Sequence, residues 1–157
     1  MSARTHMQSR IWFGDIPLQS FYTAGTDGQV FFKALKDRGK LVGTRCAACE
    51  QVYVPARSFC ERCLSELTEK VNVGPEGTLN SCTFCYIDHD GKRLAQPLAL
   101  GLAQLDGATT LFLHRLLGAT EPSDVVIGSR VTIVLKPKAE RIGSILDIEG
   151  FQILAGR

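Results

Sequence analysis

Two matched cysteine pairs constrain this chain more than any other feature. Cys46-Ala-Ala-Cys49 is followed, after ten residues, by Cys60-Glu-Arg-Cys63. A two-residue spacer lets both sulfurs of a pair turn toward one centre, and two such pairs complete a tetrahedral shell of four soft thiolates. Cys46, Cys49, Cys60 and Cys63 are therefore the expected metal ligands. Four thiolates leave no open position, so the ion is expected to be structural, with one Zn(2+) per chain as the best fit. Metal binding in such a module contributes folding free energy on the order of 10 kcal/mol. That matters for a segment, residues 41–70, that is too short to build its own apolar core.

Mononuclear iron, as in rubredoxin, uses the same four thiolates, and the spacing leaves both metals open. Rubredoxin-type knuckles usually place Gly after the second cysteine. Glu50 and Leu64 stand there, so the knuckle turns are expected to depart from the ideal. A third pair, Cys82-Thr-Phe-Cys85, falls in an alternating stretch, Leu79 to Ile87. Positions three apart on a strand face opposite sides, so this pair is not expected to chelate. One cysteine is expected in the core and the other on the surface or at an interface.

Around the cysteine module the patterning changes twice. Residues 1–40 read as a leader followed by a helix. Met1 to Met7 carries no pattern, and Asp15-Ile-Pro17 resembles a turn. Thr26 or Asp27 can cap a helix that presents Phe31, Phe32 and Leu35 on one stripe. Gly39 supplies the C-terminal stop. Core packing is expected for at least one of the two phenylalanines, with the other free to meet a partner or ligand. Residues 71–157 read as strands joined by short turns: Lys70 to Val73, Thr78 to Asp88, Leu98 to Leu105, Thr109 to His114, Val125 to Ile127, Val131 to Leu135 and Ile142 to Ile148. Turns are expected at Gly74-Pro-Glu-Gly77, His89-Asp-Gly91 and Asp106-Gly107. About five main strands with short connections fit a small barrel of the OB type.

The remaining sequence narrows function mainly by exclusion. With 45% hydrophobic and 22% charged residues and a net charge of +2, the 157-residue chain reads as globular rather than disordered. That charge balance argues against a duplex-binding protein. No apolar stretch reaches membrane-spanning length. The N-terminus lacks an apolar signal core, so a cytoplasmic location is expected. No GxSxG, HExxH, phosphate loop or dinucleotide fingerprint occurs, and no catalytic residue is assigned. His6 lies in the leader, His89 in a turn between two aspartates, and His114-Arg115 at a strand end expected to be exposed. Single-strand binding would need aromatic platforms beside a basic groove. Phe84, Tyr86 and Phe112 are the aromatics available, with Asp88 and Asp90 close by, which makes nucleic acid the minor reading. Lys136, Lys138 and Arg141 form a local basic cluster, a candidate phosphate contact.

The order of these features is specific. Phe31-Phe-Lys-Ala-Leu35 runs into Gly39-Lys-Leu-Val-Gly43, then Arg45-Cys-Ala-Ala-Cys49, Val52-Tyr-Val-Pro-Ala-Arg57 and Cys60-Glu-Arg-Cys63. Gly128-Ser-Arg-Val131 and Asp147-Ile148 with Phe151 close the pattern. From about Phe21 to Phe151, the chain resembles the acyl-CoA-associated family that joins a rubredoxin-like zinc ribbon to an OB fold, formerly a domain of unknown function. The resemblance implies a mainly β chain with an N-terminal helical segment: leader and helix over 1–40, zinc ribbon over 41–70, OB-fold domain over 71–157. It also implies a non-catalytic partner role. Such proteins resemble small subunits docked on thiolases, condensing enzymes, lipid-transfer-protein-like aldolases or acyl-CoA hydratases. The small subunit of the thiolase that ends benzylsuccinate breakdown is one type. The large partner would supply the nucleophile, and the small one would stabilise it and help shape its acyl-CoA entrance. Lys136, Lys138 and Arg141 are the candidates for a coenzyme A phosphate contact. The family motif often carries Gly after Cys49 and two prolines near Pro55; here Glu50 and Pro55-Ala56 occupy those places.

Overall fold

A computed structural model describes Gly14 and residues 19–154. The leader Met1 to Met7, with His6, and the Asp15-Ile-Pro17 turn lie outside the described residues. Helix α1 spans Gly25–Arg38 and ends on Gly39 in the left-handed conformation, φ 63°, whose N–H reaches back to the carbonyls of Ala34 and Leu35. The helix start differs from expectation. Ala24 holds the cap position without a side-chain bond. Asp27 sits within the first turn, where its carboxylate pairs with Lys70 Nζ at 2.6 Å. Phe31, Ala34 and Leu35 are buried. Phe32 packs at the margin of the same core, its ring 5.3 Å from that of Phe31 and nearly perpendicular to it. Both phenylalanines therefore face inward.

The ribbon is a three-stranded sheet in the order β2-β1-β3, with β1 Leu41–Arg45, β2 Val52–Tyr53 and β3 Glu69–Val73, all antiparallel. Lys70 to Val73 is thus a strand of the ribbon sheet, paired residue for residue with β1. The chain is mainly β, with the helix first, the ribbon next and an OB-type barrel last. That barrel is closed in the order β4-β5-β6-β8-β7, from β4 Glu76–Ile87, β5 Arg93–Leu105, β6 Leu111–Leu117, β7 Arg130–Leu135 and β8 Ile148–Ile153. All pairings are antiparallel except β6 with β8, a parallel contact at Leu116–Phe151 and Leu117–Gln152. β4 also pairs with β7 at residues 76–78 and closes the ring. There Gly77 is required. A Cβ at that position would lie 2.4 Å from the Gln104 carbonyl oxygen and 2.9 Å from Leu105 Cα, inside any real contact distance.

Two expected strands are not strands. Val125 to Ile127 is irregular, between a short 3₁₀ turn at Pro122–Asp124 and the Gly128 turn, with Val126 and Ile127 exposed. Residues 142–147 form a loop that ends in a capped 3₁₀ turn, and the strand begins where the expected one ends, at Ile148. Both segments have strand-like composition, but neither has a partner strand to take up its backbone groups.

One apolar core joins the two sheets. It runs from Phe31 and Leu35 of α1 through Leu41 and Val54 to Leu79, Leu105, Phe112, Val131 and Phe151 in the barrel. Hydrogen bonds reinforce the junction. The turn between β5 and β6 meets the outer edge of β2. Thr109 N–H donates to the Val52 carbonyl at 3.0 Å, Val52 N–H to Thr109 Oγ1 at 2.9 Å, and Val54 N–H to Thr110 Oγ1 at 3.2 Å. This turn satisfies backbone groups that an open sheet edge would leave unpaired.

Candidate metal centre

Each cysteine pair is carried on a tight turn of the same construction. In the first, Cys46 N–H donates to the Gln51 carbonyl and Glu50 N–H to the Cys46 carbonyl, both at 2.8 Å. In the second, Cys60 N–H donates to Ser65 O and Leu64 N–H to Cys60 O, both at 2.9 Å. These bonds fold each loop so that its two sulfurs point to one side. The bend places the residue after the second cysteine in the left-handed region, with φ 57° at Glu50 and 61° at Leu64. These are the two positions where glycine would be easier. The sequence departs from the ideal knuckle residue, and the backbone keeps the knuckle shape at a conformational cost of about 1–2 kcal/mol for each such residue.

The four Sγ atoms lie within 4.8 Å of one another. Cys46 and Cys60 are buried, Cys49 is half-buried and Cys63 is exposed. Among the described residues, Cys46 and Cys60 share a small buried cluster with Tyr53 and Leu67, flanked by Cys49. Such a small core cannot hold the two knuckle loops together by burial alone. Without a cation the four thiols do not ionise alike: Cys46 and Cys60 are shifted down and Cys49 up. The contact with Cys63, then burial, pushes Cys49 up to about 12, while the Tyr53 hydroxyl draws Cys60 down to about 6. A divalent ion held by Cys46, Cys49, Cys60 and Cys63 would favour the thiolate form of all four. The donor set fits a structural metal. Tyr53 Oη lies 3.2 Å from Cys60 Sγ. Ser65 Oγ lies 3.4 Å from Cys46 Sγ and 3.1 Å from Cys63 Sγ.

The other expected site residues are dispersed. Cys82 and Cys85 do not divide into core and surface; both are half-buried on β4, opposite Gly101 and Leu98, and neither joins the cluster. Lys136, Lys138 and Arg141 share the loop between β7 and β8. Arg141 Nε donates to the Lys136 carbonyl at 2.7 Å, so part of that guanidinium holds the loop in shape. Lys136 also borders an open cleft of about 350 Å³ beside His114, Arg115 and Glu149. His114 is not an exposed strand end. It lies within β6, its ring parallel to that of Phe112 at 6.5 Å and perpendicular to that of Phe151, with Nε2 3.4 Å from the Ile145 carbonyl. Its Nδ1 is buried without a partner. His89 is exposed beside Asp90. Of the three aromatics weighed as stacking platforms, Phe112 is a core residue and Phe84 packs against the core, which leaves Tyr86 exposed. No helix among the described residues is long and apolar enough to cross a membrane.

Tyr53, Ser65 and Asp147 carry structural weight that the sequence reading missed. Ser144-Ile-Leu-Asp147 has the spacing of a capping box and was open to detection. Tyr53 and Ser65 are visible only once the knuckles are folded.

A helix, a four-cysteine ribbon and a closed five-stranded barrel, in that order, define a zinc-ribbon/OB-fold protein. Residues 34–69 match the family model described as "ChsH2, rubredoxin-like zinc ribbon domain", and residues 70–136 match "ChsH2, C-terminal OB-fold domain". A DUF35-family protein of unknown function from Sulfolobus solfataricus, known from its crystal structure, is 31% identical. That match covers 70% of this chain and 78% of the other, with a TM-score of 0.57. The chain belongs to this DUF35/ChsH2 family. A DUF35 domain-containing scaffold protein of Methanocaldococcus jannaschii is 24% identical over 109 residues, 67% of this chain and 74% of that protein. The solved "Ltp2-ChsH2(DUF35) aldolase" shares the fold, at 23% identity and a TM-score of 0.58, over 82% of this chain and 95% of that one.

Proposed function

We propose that this chain is a non-catalytic accessory subunit. It would bind one zinc ion through Cys46, Cys49, Cys60 and Cys63 and dock on an acyl-CoA thiolase or related aldolase, stabilising that enzyme and helping to form its acyl-CoA site. The observation that carries the reading is the pairing of a four-cysteine cluster fit for a structural metal with a barrel built onto its ribbon through a shared core. A metal already holding four protein ligands has no position for substrate or a reactive water. The two described histidines contact a neighbouring aspartate and a backbone carbonyl rather than a nucleophile. Two relatives support the same direction. One is called a scaffold protein, and the other is part of an aldolase structure that names ChsH2 beside Ltp2. The benzylsuccinate-pathway thiolase subunit is the particular type we favour. Lys136 and Lys138, with Arg141 bracing their loop, are the residues we would place near a coenzyme A phosphate.

The test is co-purification of the untagged chain from its native extract, with partner identification by mass spectrometry and metal analysis on the same sample. A thiolase- or aldolase-type partner with about one zinc per chain is the expected result. Turnover by the isolated chain would overturn the accessory role, and iron in the purified complex would overturn the metal assignment.

A further inference from the structure

We propose that Tyr53 and Ser65 form a hydrogen-bonding layer around the thiolates that sets how tightly the ribbon holds its ion, with Tyr53 dominant. The inference rests on the four-cysteine metal site argued above. Tyr53 is fully buried on β2, and its hydroxyl lies 3.2 Å from Cys60 Sγ. A metal-bound thiolate has no proton to give, so the phenol must be the donor. Four thiolates around a divalent cation leave two excess negative charges in a partly water-free pocket. Hydrogen bonds to sulfur spread that charge. Cys60 is 0% exposed, so no solvent molecule can replace the Tyr53 donor. The Arg57 guanidinium lies over the Tyr53 ring, 5.3 Å from its centroid. That contact helps fix the ring, and Arg57 is itself paired with Glu61 at 2.9 Å.

Ser65 contacts two of the other cysteines. Its hydroxyl stands between Cys46 and Cys63, nearer to Cys63. Cys63 is exposed, so water can take over much of what Ser65 provides. The geometry therefore ranks the two positioning residues: loss of the Tyr53 hydroxyl should weaken metal retention more than loss of the Ser65 hydroxyl.

The experiment uses the full chain loaded with zinc and a competing chelator, with parallel cobalt(II) spectra. Tyr53→Phe keeps the ring and removes only the hydroxyl. It should lower zinc affinity about 10- to 100-fold and move the sulfur-to-cobalt charge-transfer band to lower energy, because the unbonded thiolate gives up charge more readily. Ser65→Ala should show a smaller loss, and Ser65→Thr should restore the native value. Tyr53→Phe with native zinc affinity and an unmoved cobalt band would overturn the proposal while leaving the metal site intact. A native chain that takes up neither ion would overturn the metal site itself.

Discussion

Asp147 offers the sharpest test of how the β7–β8 loop is built. Its side chain is 0% exposed, a rare condition for a carboxylate. Oδ1 accepts the Ile142 N–H at 2.9 Å, and Oδ2 accepts those of Gly143 at 2.7 Å and Ser144 at 3.3 Å. The Lys136 N–H donates to the Asp147 carbonyl at 2.9 Å and closes the loop at its base. Burial by itself raises the carboxyl's pKa. The Ile142, Gly143 and Ser144 donors and the Lys136 charge outweigh it, so the net shift is downward. A hydrogen bond to a charged group contributes about 1.5–3 kcal/mol, and three are at stake. Ile142 is largely exposed, so water recovers part of the loss. Asp147→Ala should therefore cost about 3–4 kcal/mol in urea unfolding. Asp147→Asn, which keeps one acceptor oxygen, should cost less. The pH dependence has a definite sign. Because the folded carboxyl is more acidic than the unfolded one, its contribution is complete above the unfolded value near 3.8 and is lost as pH falls through the folded value. An Asp147→Ala chain within about 0.5 kcal/mol of native stability would refute the argument that this carboxylate organises the loop.

Chelation of the metal, or Cys60→Ser, should collapse the ribbon, because the cluster of Tyr53 and Leu67 with Cys46 and Cys60 is too small to persist alone. Circular dichroism with and without chelator should show strand signal lost from the ribbon and a lower melting temperature for the whole chain. Leu64→Gly should raise stability by about 0.5–1 kcal/mol in thermal melts, since it relieves a left-handed conformation at a side chain that is 77% exposed and packs little. His114 titrates below its ordinary value, chiefly because burial disfavours the imidazolium; the Ile145 carbonyl opposes this and Arg115 adds to it. The unfolded chain therefore takes up that proton first. The His114 contribution is complete above about pH 6.5 and is lost as pH falls toward the folded value. His114→Phe should flatten the melting-temperature profile across that interval.

The four-cysteine cluster was legible because CxxC spacing is a local code. Two short loops suffice to aim four sulfurs, and nothing distant alters that. α1 and Gly39 were legible for the same reason. The errors lie where tertiary partners decide. Val125 to Ile127 has strand composition but is irregular, between two turns. β8 reads Ile148-Glu-Gly-Phe-Gln-Ile153, a short glycine-broken run that becomes a strand because β7 on one side and β6 on the other supply its bonds. β1 was hidden inside the cysteine module: Gly43 interrupts its pattern, yet a Cβ there would lie 2.5 Å from the Tyr53 carbonyl oxygen. Cys82 and Cys85 escaped a clean inside–outside assignment: the pairing with β5 runs unbroken from Ser81 to Cys85, yet both side chains are half-buried.

The grip of Thr109 and Thr110 on the edge of β2 bears on how this chain can be engineered and how it can diverge. A ribbon cut free at residue 70 would expose the flank of Leu41 and Val54 and leave β2 with open backbone groups, so the excised piece is not expected to behave as a portable zinc module. A chimera that borrows its ribbon from a relative must bring a matching β5–β6 turn with it. Insertions should be tolerated at the exposed β4–β5 tip around Asp90 and Gly91 and rejected at residues 108–110, although both are hairpin turns of the same barrel.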